Sequence, residues 1–218
     1  YPMMMAVWQI GPALAAGNTL VLKPSDTTPA STVRLGELAA EVLPPGVLNV
    51  VCGDRSTGAA MTDHDIPAMV AITGSVAAGK AVAAAAAPRV KRVHLELGGN
   101  APVVVFEDAD IAAAAADIAV AGFFNAGQDC TAATRVIAHE SIVVELADAL
   151  AAEAAGVRFS RDEEEGSEDF FIPPLNNADQ MAKVSGLVSR VPSSARVLCG
   201  GSPADGAGWF YPPTGIAG

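Results

Sequence analysis

The sequence predicts an α/β fold built on parallel strands. Three observations point there. Short apolar runs alternate with helical segments along all 218 residues. Alanine runs at 83–87 and 112–116 favour helix over disorder. The breaks between segments are marked by Gly and Pro, as in Pro44-Pro45-Gly46. Apolar strands alternating with helices form a parallel sheet joined by right-handed crossovers.

Each element follows from local chemistry. Thr19-Leu20-Val21-Leu22 is an apolar run ending at Lys23-Pro24, the pattern of a buried parallel strand. Thr28 then stands as a helix N-cap with Pro29 in the first turn. Leu35, Leu38, Ala39 and Val42 fall at i, i+3, i+4 and i+7, one helix face, until Pro44-Pro45-Gly46 stops it. Residues 47–51 and 69–73 read as strands, and Gly74 opens a turn into an alanine-rich helix ending near Pro88. Strands follow at 90–95 and 102–106, then a helix from Asp110 to Phe124 and a strand at 135–138. Residues 141–155 read as a helix capped by Ser141, 177–191 as another helix, and 196–198 as a strand before Gly200-Gly201. The Gly98-Gly99 pair is the natural hinge, dividing the chain into lobes 1–98 and 99–218.

A net charge of −11 argues against a nucleic-acid surface, which needs clustered Lys and Arg. The acidic run Asp162-Glu163-Glu164-Glu165, with Glu168 and Asp169, reads as a solvated loop, with an acidic docking patch as the alternative. Three widely spaced cysteines without a C-x-x-C pair favour free thiols and a reducing compartment. No uninterrupted apolar stretch approaches the roughly 20 residues of a membrane span. Tyr1-Pro2-Met3-Met4-Met5 lacks the basic start of a secretory signal. These features together predict a soluble, cytoplasmic protein. His64, His94 and His139 stand apart from any ligand spacing, so no metal site is expected.

A few residues have chemistry to offer. Cys130 closes Asn125-Ala126-Gly127-Gln128-Asp129-Cys130, small and polar surroundings that suit a nucleophile at a turn opening a helix. Backbone dipoles there lower a thiol pKa and Asp129 opposes them, so the sign is open. Cys52 and Cys199 end apolar runs beside glycine and fit buried structural thiols better. Glu96, in Leu95-Glu96-Leu97-Gly98-Gly99, is either a general base or a partner of Lys91 or Arg92. Gly74-Ser75-Val76-Ala77-Ala78-Gly79-Lys80 follows a strand and opens a helix, a setting that favours phosphate. It fits G-x-x-x-x-G-K, but Ala81 stands where a P-loop needs Ser or Thr for magnesium. Lys23 ends a strand where α/β folds place ligands, and Asp26 could accept from ribose hydroxyls.

Five stretches in one order resemble the NAD(P)-dependent aldehyde dehydrogenase superfamily. They are residues 17–26, 43–51, Thr73-Gly74-Ser75, Leu95-Glu96-Leu97-Gly98-Gly99, and Phe124 through Cys130. Within it, Ile72-Thr73-Gly74-Ser75-Val76, Asp129-Cys130-Thr131-Ala132 and Leu175-Asn176-Asn177 look most like the γ-aminobutyraldehyde (aminoaldehyde) branch. The resemblance implies a dinucleotide-binding lobe over 1–98 and part of an α/β catalytic lobe over 99–218. It implies Cys130 as nucleophile, with its backbone N–H in the oxyanion hole, and Glu96 as the base that releases a thioester. Cofactor contacts would come from Lys23, Ser25, Asp26, Gly53, Gly58, Thr73, Gly74, Ser75, Gly79, Leu97 and Gly98. The cofactor is expected to be NAD rather than NADP, because the Asp26 carboxylate repels a 2′-phosphate. The partners implied are a small-molecule aldehyde, with Asp129 facing a substrate ammonium, and, for the full-length form, further copies of itself in a homo-dimer or tetramer.

The chain also departs from the family pattern. Asp26 stands for the usual Glu, Asn100 for a common Lys, Ile72 for a common Phe, and Phe171-Ile172-Pro173-Pro174 for a Gly-Pro approach. In the family, Pro-Trp-Asn precedes the position of Tyr1, and Glu-x-Phe-Gly-Pro follows beyond Thr214. A chain lacking that Asn loses an oxyanion donor worth roughly 100- to 1,000-fold in rate, so the 218 residues alone are expected to be nearly inactive. Alternatives are a catalytically dead scaffold, a P-loop nucleotide-binding protein, and a CoA-acylating reductase with no need for Glu96.

Overall fold

The computed structural model describes residues 1–162 and 171–218, including the backbone of Asp162 but not its side chain. They form two compact units, Tyr1–Gly98 and Gly99–Gly218. The acidic run from Glu163 to Asp169 lies outside the described residues.

The first unit runs α1 (Pro2–Ala15), β1 (Leu20–Leu22), α2 (Ala30–Ala40), β2 (Leu48–Val50), α3 (Arg55–Asp63), β3 (Met69–Gly74), α4 (Val76–Ala86) and β4 (Arg92–Leu97). β1 pairs in parallel with β2, and β3 with β4. Pro2 opens α1, where its missing N–H costs nothing. Gly17, at φ +73, ends that helix, and the N–H groups of Gly17 and Asn18 return to the carbonyls of Leu14 and Ala13. Asp54 caps α3, its carboxylate accepting from the Ser56 N–H at 2.8 Å and the Ser56 hydroxyl at 2.6 Å.

Lys91 ties these elements together. It is buried, and its Nζ donates to the carbonyls of Thr62 and His64 at the end of α3. A cation at a helix C-terminus satisfies orphan carbonyls and complements the dipole, so the start of β4 is held against α3. Arg89 adds exposed pairs to Asp63 at 2.7 Å and Asp65 at 2.5 Å.

The second unit continues with β5 (Pro102–Val105), α5 (Ile111–Phe123), β6 (Arg135–Ala138), α6 (Val143–Gly156), β7 (Arg158–Phe159), β8 (Phe171–Ile172), α7 (Ala178–Val188), β9 (Arg196–Cys199) and β10 (Gly215–Ala217). β5–β6 and β7–β8 are parallel, whereas β9–β10 is antiparallel. Val105, Ala115, Ile118, Ile142 and Leu146 form the core between β5, α5 and α6. Asp110 and Asn177 cap α5 and α7 by accepting from Ala113 and Gln180 N–H groups. Among the described residues no helix is long and apolar enough to cross a membrane.

Several local expectations are corrected. Pro29 itself is the N-cap of α2, so Thr28 does not cap it. α6 begins after Ile142 without a side-chain cap, because the Ser141 hydroxyl lies 2.8 Å from His139 Nδ1 instead. β4 runs two residues further than the apolar run suggests and takes in Glu96 and Leu97, since pairing with β3 continues to Gly74. Cys52 is exposed: β2 ends at Val50, which leaves the thiol in the loop beyond the sheet. Cys199 is half-buried, and its Sγ accepts from the Gly215 N–H at 3.2 Å.

Leu146 is 1% exposed at the centre of the second unit. Leu146→Ala should lower stability by about 2–5 kcal/mol through lost transfer energy and a residual cavity. Denaturant unfolding followed by circular dichroism would check this, and a change below about 1 kcal/mol would contradict the packing. The carboxyls of Asp54 and Asp65 lie below their ordinary value of 3.8, through hydrogen bonds from Ser56 and Arg89 respectively. Depressed folded-state pKa values add stability above the unfolded value and lose it as pH falls through the folded one. Protection of residues 54–63 against hydrogen exchange should therefore fall below about pH 4, and Asp54→Asn should flatten that fall. Protection independent of pH down to 2.5, after correction for intrinsic exchange, would refute the assignment.

Candidate active site

β1 and β2 run in the same direction, with Leu22 beside Val50, so both chains leave the sheet at one end. Lys23 follows β1 directly. Its Nζ donates to the carbonyl oxygens of Pro24 at 2.8 Å and Gly53 at 3.0 Å. Its stem passes Gly58, where an added Cβ would stand 3.4 Å from Lys23 Cε. Lys23, Gly53 and Gly58 are thus brought together at the carboxyl ends of parallel strands, where open α/β sheets hold ligands. Ser25 and Asp26 are exposed beside them, the Ser25 hydroxyl 3.5 Å from the Asp26 carboxylate and 3.0 Å from Thr27 Oγ1.

The second pair of strands assembles more of the expected residues. Its register sets Thr73 opposite Glu96 and Gly74 opposite Leu97. Ser75 then caps α4, its Oγ accepting from the Ala78 N–H at 3.1 Å. Gly79 is buried in the first turn of that helix, and a Cβ there would meet the Leu97 side chain at 2.6 Å. α4 therefore sits directly on the end of β4, and a side chain at position 79 would force Leu97 to shift. The helix begins at Val76, so Gly79 and Lys80 lie inside it and cannot form the loop that a P-loop reading requires.

Glu96 is not enclosed by its neighbouring leucines: its side chain is 44% exposed. Lys91 is committed to the end of α3. The partner of Glu96 is His94, two residues back on the same strand face, with Nε2 3.2 Å from Oε1. Gly98 is exposed at the end of the unit.

Cys130 belongs to the second unit. No helix opens at it, contrary to expectation: α5 ends at Phe123, and the short 3₁₀ segment Phe124–Gly127 that follows stops before Cys130, with β6 starting only at Arg135. The helix-dipole argument for this thiol therefore falls away. In its place is an unusual turn in which Asn125, Ala126 and Gly127 are all left-handed, at φ +52, +57 and +70. Gln128 fastens it. The backbone N–H of Gln128 donates to the Asn125 carbonyl at 3.2 Å and its Nε2 to the same oxygen at 3.0 Å. Asn125 Nδ2 returns a bond to the Gln128 carbonyl at 3.1 Å. The Gln128 amide also reaches the segment after β8, donating to Pro174 O at 3.3 Å and accepting from the Asn176 N–H at 2.9 Å.

Asp129 then bridges across the cysteine, its Oδ1 accepting from the N–H and the hydroxyl of Thr131, each at 2.8 Å. Cys130 itself is exposed at the tip of this turn. A Cβ on Gly99 would stand 3.6 Å from the Cys130 carbonyl, and Thr134 Oγ1 donates to Asn100 Oδ1 at 3.3 Å, so residues 99 and 100 border the turn. Beside it an apolar groove of about 400 Å³ is lined by Phe123, Ala126, Gly127, Leu175, Val188 and Tyr211. The Tyr211 hydroxyl is buried there without a full hydrogen bond; burial raises its pKa, and the Ser185 hydroxyl offsets part of that. Among the described residues no three His, Cys, Asp or Glu side chains cluster as a metal site.

Sequence reasoning did not foresee the roles of His94 and Gln128. For Gln128 a signal was present, since Asn125 and Gln128 flank a Gly at the i, i+3 spacing of a closed turn.

Comparison with known proteins bears on the family and the fold. The model of the aldehyde dehydrogenase family matches residues 1–218. The chloroplastic betaine aldehyde dehydrogenase of Beta vulgaris is 42% identical over 100% of this chain and 44% of its own length. The peroxisomal aminoaldehyde dehydrogenase 1 of Pisum sativum is 41% identical over 98% of this chain and 43% of its own. The crystal structure of lactaldehyde dehydrogenase from Escherichia coli superposes with a TM-score of 0.92 at 36% identity, over 99% of this chain and 45% of that one. Betaine aldehyde dehydrogenase from Staphylococcus aureus, solved in complex with NAD+, gives 0.92 at 33% identity, over 99% of this chain and 44% of that one. The chain thus spans less than half the length of the relatives it matches. By its matched sequence and its shared fold, the chain belongs to the aldehyde dehydrogenase family.

Proposed function

We propose that the protein containing these residues oxidises an aldehyde to a carboxylic acid with NAD+, Cys130 acting as nucleophile and Glu96 as base. The observation that carries this reading is the exposed Cys130 thiol at the tip of a turn fastened on both sides. The residues present suit a dinucleotide. Lys23 and Asp26 offer a donor and an acceptor to ribose, with Ser25 beside them. Gly53 and Gly58 leave room near the adenine. Thr73, Gly74, Ser75 and the first turn of α4 present backbone N–H groups to a pyrophosphate, with Gly79, Leu97 and Gly98 behind them. When bound, the nicotinamide supplies a hydride acceptor.

The chain's own part is covalent catalysis. The Cys130 sulfur adds to the aldehyde carbon, and the carbonyl electron pair moves onto oxygen, next to the Cys130 N–H. Departure of hydride from that carbon leaves a thioester on Cys130. Glu96 takes a proton from water, the resulting hydroxide adds to the thioester, and the C–S bond breaks to return the thiolate and the acid. Aldehyde, NAD+ and water thereby become acid, NADH and a proton. An aminoaldehyde is the proposed substrate class, supported by the aminoaldehyde and betaine aldehyde dehydrogenases among the relatives. Asp129 gives this no added weight, because its carboxylate is engaged by Thr131.

Glu96→Gln in the intact protein should slow steady-state turnover about 10²- to 10⁴-fold while one equivalent of NADH still forms per site. Steady-state turnover equal to wild type would remove Glu96 as the base. Asp26→Ser should raise kcat/KM for NADP+ relative to NAD+ by about tenfold, by removing a charge that repels a 2′-phosphate. An unchanged ratio would end the Asp26 argument for NAD+.

A further inference from the structure

We propose that Gln128 is a positioning residue for the thiol: its side-chain amide holds the left-handed turn that presents Cys130. The inference rests on the thioester reading above. Three consecutive left-handed residues are an uncommon backbone state, and Ala126 has neither the freedom of glycine nor the side-chain bonding of asparagine to favour it. Such a state persists where the surroundings over-determine it; Asn125 Nδ2 contributes one bond inside the turn, and the Gln128 amide is the group that also ties the turn to a distant segment. The Gln128 amide closes the turn onto the Asn125 carbonyl at 3.0 Å. The same amide anchors the turn to a segment 46–48 residues away, through Pro174 O at 3.3 Å and the Asn176 N–H at 2.9 Å.

The bonding is directional. Nε2 supplies the donors and Oε1 the acceptor, so a glutamate would keep only the bond from Asn176 and would face two carbonyl oxygens with a carboxylate. A methionine would keep the length and lose all of it. Gln128 sits two residues before the sulfur, so release of the turn displaces the nucleophile. Displacements of about 1 Å cost on the order of 100-fold in rate.

The test is pre-steady-state NADH formation by the intact protein in a Glu96→Gln background with saturating aldehyde. There the amplitude counts competent sites and the rate constant reports attack and hydride departure. Gln128→Met should keep the amplitude and the Kd for NAD+ while its rate constant falls about 10- to 100-fold. Gln128→Glu should fall at least as far, despite keeping one bond. A purely structural role predicts the reverse: reduced amplitude, a lower melting temperature and an unchanged rate constant. That result, or wild-type kinetics in both variants, overturns the inference and leaves the thioester reading intact. Undiminished turnover by Cys130→Ser overturns the thioester reading and this inference with it.

Discussion

Parallel pairing of β3 with β4 is the constraint on which the candidate site of the first unit depends. In a parallel pair the register fixes which residues leave the sheet together, and here Thr73–Gly74 and Glu96–Leu97 do so. The strand-to-helix turn and the carboxylate therefore share one end of the sheet. α4 then packs on β4 with Leu97 filling the space that Gly79 leaves open. β1 and β2 repeat the logic: their common direction lets Lys23 reach the Gly53 carbonyl across thirty residues of chain.

Lys91 shows how the same unit manages its polar groups. A buried ammonium is costly unless satisfied, and two helix-terminal carbonyls satisfy it while being satisfied in return. This explains why the lysine nearest Glu96 in sequence is not its partner. The sequence reading paired Glu96 with Lys91 or Arg92, whereas Lys91 answers the carbonyls at the end of α3 and Glu96 meets His94.

Among the described residues of the second unit, left-handed non-glycine backbone is confined to Asn125 and Ala126. Its core of Val105, Ile118, Ile142 and Leu146 is ordinary aliphatic packing. The turn after α5 is not: it carries left-handed asparagine and alanine in succession and is closed by side-chain amides rather than by a helix. Strain of this kind gathers at functional sites because rigid support elsewhere can hold a reactive group in one orientation.

The sequence by itself determined the alternation of strands and helices and the family, and it singled out Cys130 and Glu96 as the residues to propose for chemistry. These follow from periodicity, breakers and local motifs, which act over a few residues. α1 and α3 were not legible: Gly11 and Pro12 interrupt the first, and the second is short and polar, held by the Asp54 cap and by Lys91. The partner of Glu96, the exposure of Cys52 and the left-handed turn beneath Cys130 were decided only in three dimensions. The turn depends on the Pro174 and Asn176 backbone meeting the Gln128 amide across 46–48 residues, the pairing of Glu96 with His94 on Lys91 being taken up by the end of α3, and the exposure of Cys52 on where β2 stops. A local pattern carries no information about which distant carbonyl or N–H will be left needing a partner.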